Sequence, residues 1–175
     1  SGSGDNLALK ILLKENKKEI ISSWFHLIVS FFPKETIDFI INEKDRFLNP
    51  IGSNISDGIG VIYDFVIGEK DKDAVALAIE NMVKIMAVEN IKPSIAISFG
   101  YHLKRILMER WALYLKDNNF LNEFNVICEK IDELTLMAFD FYTACREKIN
   151  RIRIKELMSD RAIRSDNILN LKFNR

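Results

Sequence analysis

Apolar residues recur at helical spacing along most of the chain, and the longest such stretch runs from about Phe120 to Leu157. This stretch contains neither glycine nor proline. Six of its apolar positions alternate by four and three residues, a spacing that keeps them on one face of an α-helix: Ile127, Ile131, Leu134, Ala138, Phe141 and Cys145. A second stripe accompanies the first: Phe124, Leu136, Phe139 and Tyr142. We therefore predict one long helix around which the remaining chain packs.

This helix is too long for a compact domain. At about 1.5 Å per residue it would span about 57 Å, whereas the radius of gyration expected for a domain of this length is about 16 Å. We predict that it protrudes after Cys145, where the sequence becomes charged with a narrow stripe of isoleucines. Ile149 and Ile152, with Ile154 on an adjacent face, should lie beyond the core. A second copy of the chain would cover them, so we predict a homodimer.

The rest of the chain predicts an all-α bundle of six or seven helices in a single domain over residues 5–157. The shorter helices are expected at about residues 5–13, 20–31, 34–41, 55–67, 74–88 and 94–115. Ser53 or Asn54 should cap the fourth, and Gly58 and Gly100 should mark close helix crossings. Residues 1–4 (Ser-Gly-Ser-Gly) are typical of a cloning remnant. The weak periodicity of residues 158–175 predicts a tail that is frayed or docked on a partner.

Charge and cysteine content narrow the function classes. Lys plus Arg and Asp plus Glu number 25 each in the 175 residues, so no overall field gathers nucleic acid or an anionic membrane. Cys128 and Cys145 are 17 residues apart on the predicted helix, about 25 Å along its axis, which is too far for a disulfide. With no long apolar run, we expect a cytoplasmic protein without membrane insertion.

His26 and His102 are the only histidines, and each is a candidate axial ligand for heme in a helical domain. A surface or packed role is the better interpretation of His26, between Phe25 and Leu27. His102, beside Tyr101, leaves a heme-binding gas sensor open as an alternative. No second metal ligand stands three or four residues from either histidine, so we predict no zinc or di-iron site and no cofactor.

The carboxylates and the basic run give little support for catalysis or nucleic-acid binding. Asp140, between Phe139 and Phe141, is better interpreted as a buried, hydrogen-bonded group than as a catalytic one. No phosphate loop, nucleophile elbow or Cys/His pairing occurs, so we predict that the protein is not an enzyme. The basic positions that follow Cys145 favour a solvated stalk, with a nucleic-acid-binding regulator as the alternative: Arg146, Arg151 and Arg153.

A small apolar ligand, if one is bound, should lie inside the helical core. Methionines adapt to irregular shapes, and aromatic residues commonly line ligand sites. The residues whose predicted faces converge are Met82, Met86, Phe99, Leu103, Met137 and Phe141. Plain core packing is the alternative interpretation of this set.

Three stretches resemble one known family. They are residues 45–52 followed by Gly58, residues 82–96, and residues 131–149 with the run Ala138-Phe139-Asp140-Phe141-Tyr142. Together they are similar to the N-terminal sensor domain of RsbRD-type proteins, the co-antagonists of the bacterial stressosome. The resemblance covers about residues 7–157. It implies a dimeric, globin-like domain without heme that senses a stress or metabolic signal and passes it through its last helix to an output module or signalling protein.

Overall fold

The computed structural model describes the backbone of residues 8–173 and the side chains of residues 8–165. Within this range the chain is all-helical and forms a single helical bundle, as predicted. The α-helices are α1 (Ala8–Glu15), α2 (Lys17–Val29), α3 (Lys34–Asn42), α4 (Pro50–Val66), α5 (Lys72–Val88), α6 (Pro93–Ala96), α7 (Phe99–Arg110) and α8 (Asn118–Phe173), with a 3₁₀ turn at Tyr114–Lys116. The predicted cloning remnant and the predicted helix start at Asp5 lie outside the described residues.

One apolar core joins the helices, and α5 makes its main contacts with α4 and α8. Two buried polar groups fix the packing. The indole N–H of Trp24 donates to the carbonyl oxygen of Phe99 over 2.9 Å, which ties α2 to α7. The hydroxyl of Tyr63 donates to the carbonyl oxygen of Leu13 over 2.7 Å, which ties α4 to α1. Burial raises the pKa of the Tyr63 phenol, so it stays a neutral donor.

The start of α4 differs from the prediction. Asn49, not Ser53 or Asn54, is the cap: its side-chain oxygen accepts the backbone N–H of Gly52 over 2.9 Å. Its amide group donates to the carbonyl oxygens of Ile40 and Glu43, so this buried polar side chain has both kinds of partner. The helix can therefore begin at Pro50, whose missing N–H needs no partner in a first turn.

The single helix expected at residues 94–115 is wrong, because the chain breaks into α6 and α7. At the break, both the backbone N–H and the hydroxyl of Ser98 donate to the carbonyl oxygen of Ile95. These bonds form a tight turn in place of a continuous α-helical ladder. At the other end α7 stops at Arg110, and the buried side chain of Trp111 leads into the 3₁₀ turn.

Gly100 marks the close helix crossing predicted for it. A Cβ atom there would stand 2.1 Å from Oγ1 of Thr135 and 3.1 Å from Cγ2 of Ile131, so α7 lies against α8 with no room for a side chain. Gly58 faces α5 less tightly, since a Cβ atom would be 3.5 Å from the Ala78 carbonyl oxygen, an ordinary contact.

The last helix is longer than predicted. It begins at Asn118 and continues to Phe173, so the helix end predicted at about Leu157 is wrong. That residues 158–175 form a tail docked on a partner stays a prediction. Its 56 residues would span about 84 Å at the usual rise. The weak apolar periodicity that indicated a tail reflects solvent on every side of the helix, because the side chains of residues 150–165 are all exposed.

Candidate functional site at the exit of the last helix

Helix α8 has two parts with different surroundings. Its first part, residues 118–149, is the common wall of the bundle and contacts α1, α4, α5, α6, α7 and the 3₁₀ turn. Ile131, Leu134, Ala138 and Tyr142 are buried there. We call residues 150–165, whose side chains are all exposed, the arm. The predicted protrusion is thus present, and the exit of the helix from the bundle is the candidate functional site.

Two side chains hold α8 to the end of α5 just before the exit. The hydroxyl of Tyr142 donates to the carbonyl oxygen of Ile91, and Nη1 of Arg146 donates to the carbonyl oxygen of Ala87 over 3.0 Å. Burial raises the pKa of the Tyr142 phenol, which keeps it a neutral donor. Between these acceptors Asn90 adopts a left-handed conformation (φ 57°) that ends the helix. We call these two contacts the latch.

The three arginines of the predicted basic run differ in burial and in their partners. Arg146 is half-buried because it caps the end of α5, where cations are favoured by the helix dipole. Arg151 and Arg153 are exposed on the arm, and Arg151 pairs with Glu147 one turn away. The three arginines therefore do not form one uniform surface.

The three isoleucines predicted to form a dimer stripe, Ile149, Ile152 and Ile154, also have different surroundings. Ile149 is half-buried and packs against the domain's own core, so the prediction that the helix has already left the core at this residue is wrong. Ile152 and Ile154 are exposed, at 48% and 52%. At about 100° per residue they lie about 160° apart around the helix, on nearly opposite faces. A single partner helix cannot cover both.

The second predicted stripe is also wrong as a single face. Phe124 and Tyr142 are buried, whereas Leu136 and Phe139 are 70% and 46% exposed. At about 100° per residue, Leu136 lies about 120° around the helix from both Phe124 and Tyr142, so these residues do not share one face. Leu136 and Phe139 belong to the outer face of α8, away from the bundle.

The six residues of the predicted ligand site all belong to the core or border it. Met82, Met86, Phe99 and Leu103 are buried. Met137 and Phe141 are half-buried and pack against the core. The surface cavities described along residues 8–165 are lined by other residues, so this ligand site stays a prediction.

A groove that sequence reasoning did not identify lies between α1, the end of α4 and α8. Its volume is about 340 Å³, and Leu9, Ile67 and Val126 contribute to its apolar lining. Glu123 in this groove accepts the backbone N–H of Leu9 over 3.2 Å, and Lys130 contacts the carbonyl oxygen of Val66 over 3.4 Å. Because three distant segments form it, no local motif in the sequence could indicate this groove.

The histidines and Asp140 show no shared site. His102 is half-buried, and its ring lies 5.2 Å from the ring of Phe31, at an angle of 31°. Burial, followed by the charge of Arg105, lowers the pKa of His102, so the imidazole is mainly neutral at pH 7. His26 is exposed, and Asp140 is exposed rather than buried as predicted, because it lies on the outer face of α8.

Two further absences hold for the described part of the chain. Residues 8–165 contain no cluster of three or more His, Cys, Asp or Glu side chains that could hold a metal ion. No helix in the described range is long and apolar enough to cross a membrane.

Comparison with known proteins places the chain near one archaeal sequence. It is 23% identical over 146 residues to a protein of Archaeoglobus fulgidus described as an uncharacterized protein, covering 83% of this chain and 87% of that protein. No family model matches the chain, and no solved structure matches it. The resemblance to stressosome sensor domains and the globin-like arrangement therefore stay predictions.

Proposed function

We propose that this chain is a non-catalytic sensing or regulatory domain of stress or metabolic signalling that passes the state of its core through α8. The observation that carries this proposal is the latch. Tyr142 and Arg146 bind the end of α5 on one side, and the exposed arm continues the same helix on the other. A signalling protein or output module in the cytoplasm is the expected receiver.

The packing around the latch explains how a change in the core would reach the arm. α5 makes its main contacts with α4 and α8, and Met82 and Met86 on α5 are buried between them. A small apolar ligand among these methionines would press directly on α5, because α5 carries both of them. The carbonyl oxygens of Ala87 and Ile91 would move with α5 and carry Arg146 and Tyr142 along.

Spin-label distances test this coupling. We place one label at Leu77→Cys on α5, which is 60% exposed, and one at Ile154→Cys on the arm, in a background carrying Cys128→Ser and Cys145→Ser. Dilution with unlabelled chain removes distances between molecules. Breaking the latch with Tyr142→Phe and Arg146→Met should broaden the distance distribution, because the arm loses two of its anchors.

A matched control is Arg151→Met, which removes an arginine about one and a half turns beyond Arg146, where its described partner is Glu147. Its distance distribution should equal that of the unsubstituted chain. Identical distributions for the latch variants and this control would show that the arm does not respond to α5, and would contradict the proposed transmission.

Native mass spectrometry tests the ligand site. A small apolar molecule retained on purification would appear as an added mass under native conditions and disappear under denaturing ones. Leu103→Trp, which fills the core where the predicted ligand would lie, should abolish that mass. A chain that carries no added mass in lysates from several growth conditions would favour plain core packing for Met82, Phe99 and their neighbours.

A further inference from the structure

The outer face of α8 carries an exposed stripe that runs from the bundle into the arm, and the ion pair of Lys104 with Asp132 joins it to α7. It advances by steps of three or four residues, with one step of seven from Thr143 to Asn150 that passes over Arg146 of the latch. At about 100° per residue, all of its members stay within about 100° of the helix circumference. The stripe, all exposed, consists of Glu129, Asp132, Leu136, Phe139, Thr143, Asn150, Ile154, Leu157, Arg161 and Arg164. Its apolar members are exposed by 46% to 70%, which is costly unless another surface covers them.

The order of acidic, apolar, polar and basic side chains along this stripe is self-complementary. Read from its first residue, it presents two acids, two apolar side chains and a threonine. Read backwards from its last residue, it presents two arginines, two apolar side chains and an asparagine. The spacing is the same in both directions, so a second copy of the stripe, turned end to end, matches it position by position.

We propose that two copies of this chain pair through the outer faces of their α8 helices, antiparallel, about a two-fold axis between residues 146 and 147. Leu136 of one copy then packs on Leu157 of the other, and Phe139 packs on Ile154. Each contact occurs twice, as a two-fold interface requires. This pairing does not depend on the proposed signalling role.

Opposite charges close both ends of this interface. Arg164 of one copy reaches Glu129 of the other, and Arg161 reaches Asp132. Asp132 already binds Lys104 over 2.5 Å, but its side chain is 56% exposed and keeps room for a second cation. At the centre, Thr143 lies opposite Asn150, two side chains that can exchange hydrogen bonds.

The charges also decide the orientation. In a parallel pair, Glu129 would face Glu129 and Arg161 would face Arg161, and like charges at close range disfavour that arrangement. The paired stripe runs over residues 129–164, about 53 Å of helix at the usual rise. Leu136, Phe139 and Thr143 are exposed beside the bundle, so the other helices of the same copy leave these positions open.

A second copy fits the arm better than nucleic acid does. Ile154 and Leu157 stand in line with Arg161 and Arg164, and phosphates offer nothing to apolar side chains. The acidic half of the stripe, Glu129 and Asp132, would repel a nucleic acid that extended along the helix.

Cysteine cross-linking tests the orientation in a background carrying Cys128→Ser and Cys145→Ser. Two single variants, Phe139→Cys and Ile154→Cys, are oxidised alone and as an equimolar mixture. The mixture should give a covalent dimer, whereas Ile154→Cys alone should not. The pair Thr143→Cys and Asn150→Cys provides an independent repeat at the centre of the stripe. Covalent dimers from Ile154→Cys alone would overturn the antiparallel arrangement.

Charge reversal tests the interface in solution. Arg161→Glu with Arg164→Glu should weaken self-association by about tenfold or more, measured by light scattering and sedimentation. Adding Glu129→Arg and Asp132→Arg to the same chain should restore it, because every pair is then reversed. All four positions are exposed, so helical circular dichroism should not change.

Three outcomes would overturn the proposal. One is an unsubstituted chain that is monomeric at tens of micromolar. Another is a reversal that the compensating substitutions fail to rescue. The third is a monomer whose arm binds duplex DNA with a strong salt dependence, which would assign Arg161 and Arg164 to phosphates instead.

Discussion

The two parts of α8 belong to one continuous helix but have opposite surroundings, a packed core and solvent. Up to residue 149 the helix supplies a wall of the core, with Leu134 and Tyr142 buried. In the arm no described side chain is buried. An isolated helix in water is marginal, because packing rather than intrinsic propensity supplies most helical stability. The first part is therefore stabilised by its own domain, whereas the arm has only its helix propensity, to which the proposed second copy would add.

Matched leucine truncations should separate the two parts most strongly. Leu134→Ala empties a site that is 1% exposed and should lower the free energy of unfolding by about 2–5 kcal/mol. Leu157→Ala, at a site that is 66% exposed, should change it by less than about 0.5 kcal/mol in dilute solution. Urea unfolding followed by circular dichroism measures both. Equal losses would show that the arm is packed.

A glycine pair tests how tightly α7 holds the first part of α8. Gly100→Ala places a Cβ atom 2.1 Å from Oγ1 of Thr135 and should cost about 1–3 kcal/mol of unfolding free energy. Gly60→Ala is the matched control, since no heavy atom lies within 4 Å of its Cβ position, and it should gain about 0.5–1 kcal/mol. Adding Thr135→Ala should restore part of the loss, and an unchanged loss would point to Ile131 instead.

The boundary between the two parts lies within one turn, and paired lysine substitutions locate it. Ile149→Lys should lower the free energy of unfolding by about 1 kcal/mol, because Ile149 packs against the core. Ile152→Lys changes a side chain that is 48% exposed and should have almost no effect. Thermal unfolding distinguishes the two variants. If Ile152→Lys unfolded at a lower temperature than Ile149→Lys, the boundary would lie further along the arm.

The smallest expected effect is a pH dependence confined to the bundle. Burial lowers the pKa of His102 below its ordinary value of 6.5, so the unfolded chain takes up a proton at higher pH than the folded one. The contribution of His102 to the free energy of unfolding is therefore fully present above about pH 6.5 and is lost as the pH falls through the lowered pKa. His102→Gln should reduce the loss of stability between pH 7.5 and 5.5, measured by urea midpoints. An equal loss in both chains would assign it to carboxylates.

The sequence predicted what periodicity controls and missed what tertiary contacts control. The all-helical bundle, the long last helix, its protrusion and the close crossing at Gly100 follow from spacing and from the scarcity of helix breakers. The break at Ser98 depends on a single hydroxyl that competes for a backbone acceptor, and the cap at Asn49 depends on carbonyl oxygens of another helix. The acceptor of Ser98 is three residues away, but a serine after an isoleucine is too common to mark a break in a helix. The acceptor of Asn49 lies on α3, beyond the reach of a local pattern.

The exit site was only partly predictable for a related reason. The change in composition after Cys145 indicated that the helix leaves the bundle, but the contact of Ile149 with the core and the latch at Tyr142 depend on where α5 ends. A helical wheel with 3.6 residues per turn would have placed Leu136 and Phe139 on the outer face. The prediction grouped them with Phe124 and Tyr142 because all four are apolar, although their spacing does not place them on one face.

Because α8 is unbroken, a small change of its direction at the latch would be amplified at the far end of the arm. Residues 142–165 span about 35 Å, so a bend of about 5° in α8 at Tyr142 would displace the far end of the arm by about 3 Å. A movement of α5 that pulled on Tyr142 and Arg146 would thus become a shift comparable to a hydrogen-bond length at Arg161 and Arg164, while residues 118–141 kept their packing.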